Sequence, residues 1–233
     1  MAVVVGSSYE FGEGYGSLDT VGDKGRAMEQ RAKAFYESVD LEIVRKRHEE
    51  EGGLYGRPQS EARAVPLPPE CMPDRLKART NDPLLDYAGA ALYGYIKVVS
   101  GKLRAILEGA GDAGRFWQVE VLHPDGRVAE GEWFAWEVTA VLDAIDPGSE
   151  GLSFHAGSRK GGGMYLGTKS GTPTTGAGAR AQMRVRSEVI AGLAAWREMR
   201  FQHYSISLSD PAFEAAQAAG VQGWWVKFEM GEV

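Results

Sequence analysis

Cysteine is nearly absent: Cys71 stands alone among 233 residues. A single thiol closes no internal disulfide, so nothing calls for an oxidising compartment. No run of about 18 apolar residues occurs, which argues against a membrane-spanning helix. The opening Met1-Ala2-Val3-Val4-Val5-Gly6 has neither a basic n-region nor a long apolar core, so no signal peptide is expected and the cytoplasm is the default compartment. Histidines are few. His48, His123, His155 and His203 include no pair at i, i+3 or i, i+4, so neither a metal nor another cofactor is expected. Basic residues are outnumbered, 26 against 32 acidic, for a net charge of −6. That argues against nucleic acid as the main partner, since phosphate binding needs a basic footprint. It suits a basic protein partner, or simple solubility.

What is present is an ordinary globular composition, 43% hydrophobic and 25% charged, with charge unevenly spread. From Glu108 to Glu150 ten acidic residues face two basic ones, a net of −8. From Gly151 to Arg200 eight basic residues face two acidic ones, a net of +6. Either the two regions attract each other inside the fold, or they give the surface two electrostatic faces.

Met28, Ala32, Phe35 and Val39 fall on one face of a 3.6-residue period, which predicts a helix over residues 27–51 ended by Gly52-Gly53. Five prolines between Pro58 and Pro73 predict an extended connector. The main body carries an internal echo. Tyr95–Val99 reads as strand, Ser100 as N-cap, Leu103, Ile106 and Leu107 as a short helical face, Gly109 and Gly111 as its end, and Phe116–Val121 as strand again. The C-terminal part repeats that order: strand Tyr204–Leu208, Ser209-Asp210-Pro211 opening a helix, Gly220 at its C′ position, and strand Trp224–Phe228. Between the units His123-Pro124-Asp125-Gly126 is a turn signal, leading into an aromatic strand, Trp133–Val138, that suits an antiparallel hairpin. The expected fold is α+β: a mixed sheet built from two strand–helix–strand units plus an antiparallel hairpin, with an N-terminal helical segment. The expected division is an N-terminal segment over 1–60, a Pro-rich connector over 61–82, and the main domain over 83–233 with a Gly-rich insertion at 155–181.

Catalytic signals are poor. Gly167-Thr168-Lys169-Ser170 lacks the Gly directly before Lys that a phosphate loop needs. Gly12-Glu13-Gly14-Tyr15-Gly16 lacks the third Gly of a dinucleotide fingerprint, because Ser17 stands there. Cys71 lies beside Glu70, which does not favour a thiolate. Glu130 and Glu132 share a strand face but have no matched acid or base, so a charged surface is the simpler reading. Of six tryptophans, most belong in a core. Trp224-Trp225 point to opposite sides of a strand, so one of them is a candidate interface anchor.

Several segments together resemble the Imm11 family of bacterial immunity proteins. They are Pro83-Leu84-Leu85-Asp86, Val98-Val99-Ser100-Gly101-Lys102-Leu103, Val119 to Gly126, Val141 to Asp146, Ser207-Leu208-Ser209-Asp210, and Ala218 to Gly223. The resemblance implies an Imm11-like α+β domain over 83–233. It also implies a non-catalytic role: binding and neutralising a cognate toxin of a polymorphic toxin system, encoded next door. The expected contact surface is the acidic region, with Glu130, Glu132, Trp133 and Glu137, together with Trp225. The rival reading is a small-molecule or nucleotide-binding enzyme using His155, Arg159, Lys160 and Lys169 of the Gly-rich loop. A third is a structural module that oligomerises through a sheet edge.

Overall fold

The computed structural model describes residues 2–7, 18–40, 65–89, 96–146, 148–149, 152–156, 164–168, 183–198 and 206–233. Among them are four α-helices and two six-stranded mixed sheets, one curled into a half-barrel. The first sheet takes β2 (Leu18–Thr20), β3 (Arg75–Ala78), β4 (Tyr87–Gly89), β5 (Ile96–Ser100), β6 (Arg115–Leu122) and β7 (Trp133–Glu137), in the order β2-β3-β6-β7-β5-β4. The second takes β1 (Ala2–Ser7), β8 (Val141–Leu142), β11 (Arg184–Val185), β12 (Ala195–Glu198), β13 (Ile206–Ser209) and β14 (Trp224–Glu232), in the order β11-β14-β1-β13-β12-β8. A separate hairpin pairs β9 (Leu152–Ala156) with β10 (Met164–Thr168). The single mixed sheet expected from the echo is thus two sheets.

The echo itself is real. In the first unit β5 leads through helix α2 (Gly101–Ala110) to β6, and both strands pair antiparallel with β7 between them. In the second, β13 leads through α4 (Asp210–Ala218) to β14, and both pair antiparallel with β1 between them. Each unit is a split β-α-β, with parallel outer strands and a third strand inserted. The local grammar works much as expected. Ser100 Oγ accepts from Leu103 N at 3.2 Å and caps α2. At the end of α4, Val221 N donates to Ala216 O and Gly220 N to Gln217 O, the paired bonds of a Schellman stop. Gly126 N donates to His123 O at 2.9 Å and closes the expected turn.

The central strands of both sheets are buried on both faces. Val3, Val5, Ile206 and Leu208 of the second sheet meet Val99, Phe134 and Trp136 of the first in a central core, with Leu103, Leu107, Ala212, Phe213 and Ala216 from the two helices. Strand alternation sends Ile96, Val98, Trp133 and Ala135 to the outer side of the first sheet, under helix α1 (Gly22–Ser38) through Met28 and Ala32. It sends Ala2, Val4 and Trp196 to the outer side of the second. Helix α3 (Ser187–Ile190) contributes Ile190 there.

Two readings shift. Helix α1 starts at Gly22 and ends at Ser38, where Val39 is extended; positions 41–64 of the expected helix and connector lie outside the described residues. Over 65–73 the connector folds: Pro69–Cys71 make a 3-10 turn, and Leu67, Cys71 and Met72 are buried against the first sheet. Strand β1 lies mid-sheet between β13 and β14. Between the two charged regions Arg184 pairs with Asp146 at 2.7 Å, while Arg186 and Arg197 donate to the backbone carbonyls of Asp143 and Val138.

The two units grip each other reciprocally through the loops after their helices. Asp112 after α2 donates to Gly192 O and accepts from Ala194 N, beside the second sheet. Gln222 after α4 accepts from Tyr87 N, at the edge of the first. Asp86 completes that second contact. Its Oδ1 accepts from Ser100 Oγ at 2.6 Å, and its Oδ2 from Lys102 Nζ at 3.0 Å and Gln222 N at 3.1 Å. Burial works to raise the carboxyl, but these donors outweigh it and hold Asp86 below the usual carboxylate range. Gly223 sits at φ 102°, and a Cβ there would collide with Tyr87 O and Leu85 Cβ.

Asp86→Ala is expected to cost about 1–3 kcal/mol at neutral pH, because it strips partners from three donors. Since the folded carboxyl is the stronger acid, its contribution is full at neutral pH and is lost as pH falls below about 4. Urea titrations across that range should therefore show wild type and variant converging in acid. Gly223→Ala is expected to lose more than about 1 kcal/mol, read as a lowered thermal midpoint.

Candidate functional site

The loop joining β6 to β7, residues 123–132, carries the expected carboxylates and is tied down along its length. His123 N donates to Arg127 O at 2.8 Å, and Ala129 N to Val121 O at 2.7 Å. Asp125 accepts from Arg127 N at 3.0 Å and from Arg127 Nε at 2.8 Å. Those hydrogen bonds hold the Asp125 carboxyl below its ordinary value. Trp133 Nε1 donates to Glu130 O at 2.9 Å, and Gly101 N at the start of α2 donates to Glu132 O at 2.8 Å. The backbone is thereby fixed from the sheet side, while Asp125, Arg127, Val128, Glu130 and Glu132 are exposed. Glu130 and Glu132 are exposed, and neither has an ion-pair partner among the described residues. Between them and Asp125 stands Val128, 58% exposed, one of two large hydrophobics so placed among the described residues. Nothing in its sequence context had singled it out.

Trp133 and Glu137 do not share that surface. Trp133 is 7% exposed, and its ring packs under the first sheet. Glu137 is 1% exposed. One carboxylate oxygen accepts from Leu67 N at 2.8 Å, and the other takes Arg115 Nε at 3.1 Å and Nη2 at 2.5 Å. Arg115 Nη2 also donates to Leu67 O at 2.7 Å, so the pair locks the folded connector onto the hairpin. Both residues point inward because β7 is buried on both faces; Trp133 braces the loop through Glu130 O, and Glu137 holds the connector. Trp225 lies on β14 opposite Gly6, with its backbone alone described.

The rival site is not assembled by the described residues. His155 stands opposite Tyr165 in the β9–β10 hairpin, backbone alone described, and Arg159, Lys160 and Lys169 lie outside the described residues. Cys71 is buried, and burial followed by the Glu70 charge pushes its thiol up, away from nucleophilic use. Among the described residues no three His, Cys, Asp or Glu gather into a metal-binding group, and no helix is long and apolar enough to cross a membrane.

Loop 123–132 is thus held by hydrogen bonds beneath and carries exposed charge above. A search of curated proteins gives no match for the chain. The model of the Imm11 immunity protein family matches residues 25–229, a span that takes in both split β-α-β helices, the Asp86 contact and the acidic loop. Members of that family inhibit toxins and are not enzymes. With all but the first 24 and the last four residues inside that match, this chain belongs to the Imm11 family of immunity proteins, which act against bacterial toxins.

Proposed function

We infer that the protein neutralises a cognate toxin, encoded beside it, by binding in the cytoplasm and covering the toxin's active surface, with loop 123–132 as a principal contact. The observation that carries this reading is the loop's construction: two exposed carboxylates, Glu130 and Glu132, with no ion-pair partner among the described residues, and the exposed Val128 stand on a backbone already fixed by hydrogen bonds. A preformed loop loses little conformational freedom on binding. Unpaired acidic groups raise the encounter rate with a basic partner and set orientation, while Val128 offers a small apolar contact. A nuclease-like toxin, basic where it holds nucleic acid, is the partner such a surface fits. Trp225 is a further contact on this reading.

Co-expression with the adjacent toxin should rescue growth, and the two chains should co-purify; failure of both discards the reading. The Glu130→Lys/Glu132→Lys pair should slow association by about tenfold or more at low salt, with a smaller gap at high salt. Stopped-flow rates that do not move would remove this loop from the interface. Glu137→Gln is the contrasting case. It breaks a buried ion pair and should cost about 3 kcal/mol of stability in urea, yet leave the association rate of the folded protein unchanged.

A further inference from the structure

Strand β13 is buried on both faces, a setting in which a continuous apolar run is the rule. It reads instead Ile206-Ser207-Leu208-Ser209. Ile206 and Leu208 enter the central core. Ser207 and Ser209 take the opposite face, the one that carries Ala2, Val4 and Trp196. Register places Ser207 directly between Val4 on β1 and Trp196 on β12, and Ser209 opposite Ala2. Trp196 and Ser207 are 0% exposed and Ser209 is 9% exposed. Yet Trp196 Nε1, Ser207 Oγ and Ser209 Oγ have no hydrogen-bond partner among the described residues. Ser209 sharpens the point. It holds the N-cap position of α4, as Ser100 does for α2, but its hydroxyl does not cap the helix.

A buried indole N–H and buried hydroxyls are almost always partnered, and a face that gathers three unmet polar atoms among apolar neighbours needs a group able to accept and donate. We propose that the outer face of the second sheet holds an internal water-binding site, formed by Trp196 Nε1 with the hydroxyls of Ser207 and Ser209. The groups are neutral, so the ligand they suit is neutral and small. Water meets both needs, accepting from the indole and exchanging bonds with the hydroxyls. The site would explain why serine occupies two positions that Val or Ala would otherwise fill.

The test is water-selective NMR on the full-length protein, with a high-resolution crystal structure beside it. The Trp196 indole proton should show a cross-peak to water with the signature of long residence, and ordered density should lie within hydrogen-bond distance of Nε1 and at least one serine hydroxyl. No cross-peak, or density that shows the three atoms packed dry, overturns the proposal. In Ser207→Ala the Trp196 cross-peak should weaken at least severalfold; an unchanged cross-peak would take Ser207 out of the site. Should that variant fail to fold, the wild-type spectrum and density alone decide.

Discussion

Asp86 holds one half of the molecule against the other, and much of the architecture follows from that contact. Its carboxylate collects a hydroxyl from the cap of α2, an ammonium from the first turn of α2, and a backbone N–H from the loop beyond α4. It thus fixes the start of one split β-α-β against the end of the other. The closeness is steric as well as polar: the second loop approaches Tyr87 so nearly that only glycine fits at position 223. On the other side Asp112 joins the loop after α2 to Gly192 and Ala194. Two units locked at both ends bury their helices between them, and the aromatic chain Phe116, Trp136, Tyr87, Trp224 and Phe213 crosses the seam.

That arrangement gives the segments resembling the Imm11 family a physical meaning. Pro83–Asp86 supplies the carboxylate, Val98–Leu103 supplies Ser100 and Lys102, and Ala218–Gly223 supplies Gln222 and the tight glycine. Each looks like local grammar when taken alone. Together they are the parts of one inter-unit contact, so their order along the chain carries more information than any single piece.

Local structure was legible because its causes are local. A serine before Leu103, a glycine after Ala219 and a Pro-Asp-Gly turn each act within a few residues, and each sits where it was expected. The number of sheets was not legible. It depends on β1, whose partners lie some two hundred positions along the chain, and no periodicity in Ala2–Ser7 names them. The acidic surface was legible in composition but not in detail. Glu130 and Glu132 are exposed, whereas Glu137, in the same charged stretch, is buried with Arg115. One signal for that was available. Arg115 and Glu137 are register partners across the β6–β7 hairpin, so the hairpin itself sets opposite charges side by side.

The two units differ in how they acquire their middle strand, and that difference bears on function. In the second unit the middle strand is β1, brought from the far end of the chain. In the first it is β7, delivered by the hairpin from β6, so only this unit carries a loop at 123–132. The loop ends beside the Asp86 contact, where Glu132 O accepts from Gly101 N, yet its side chains Val128, Glu130 and Glu132 are exposed and enter neither core. Its backbone is nonetheless fixed by Trp133 and by the start of α2. An inhibitor must match a surface rather than a reaction, so it needs a presentation site whose residues can change without disturbing the frame. Here the frame is secured by one set of residues and the loop is displayed by another. On the reading proposed above, the residues offered to the toxin are then not the residues that make the chain fold.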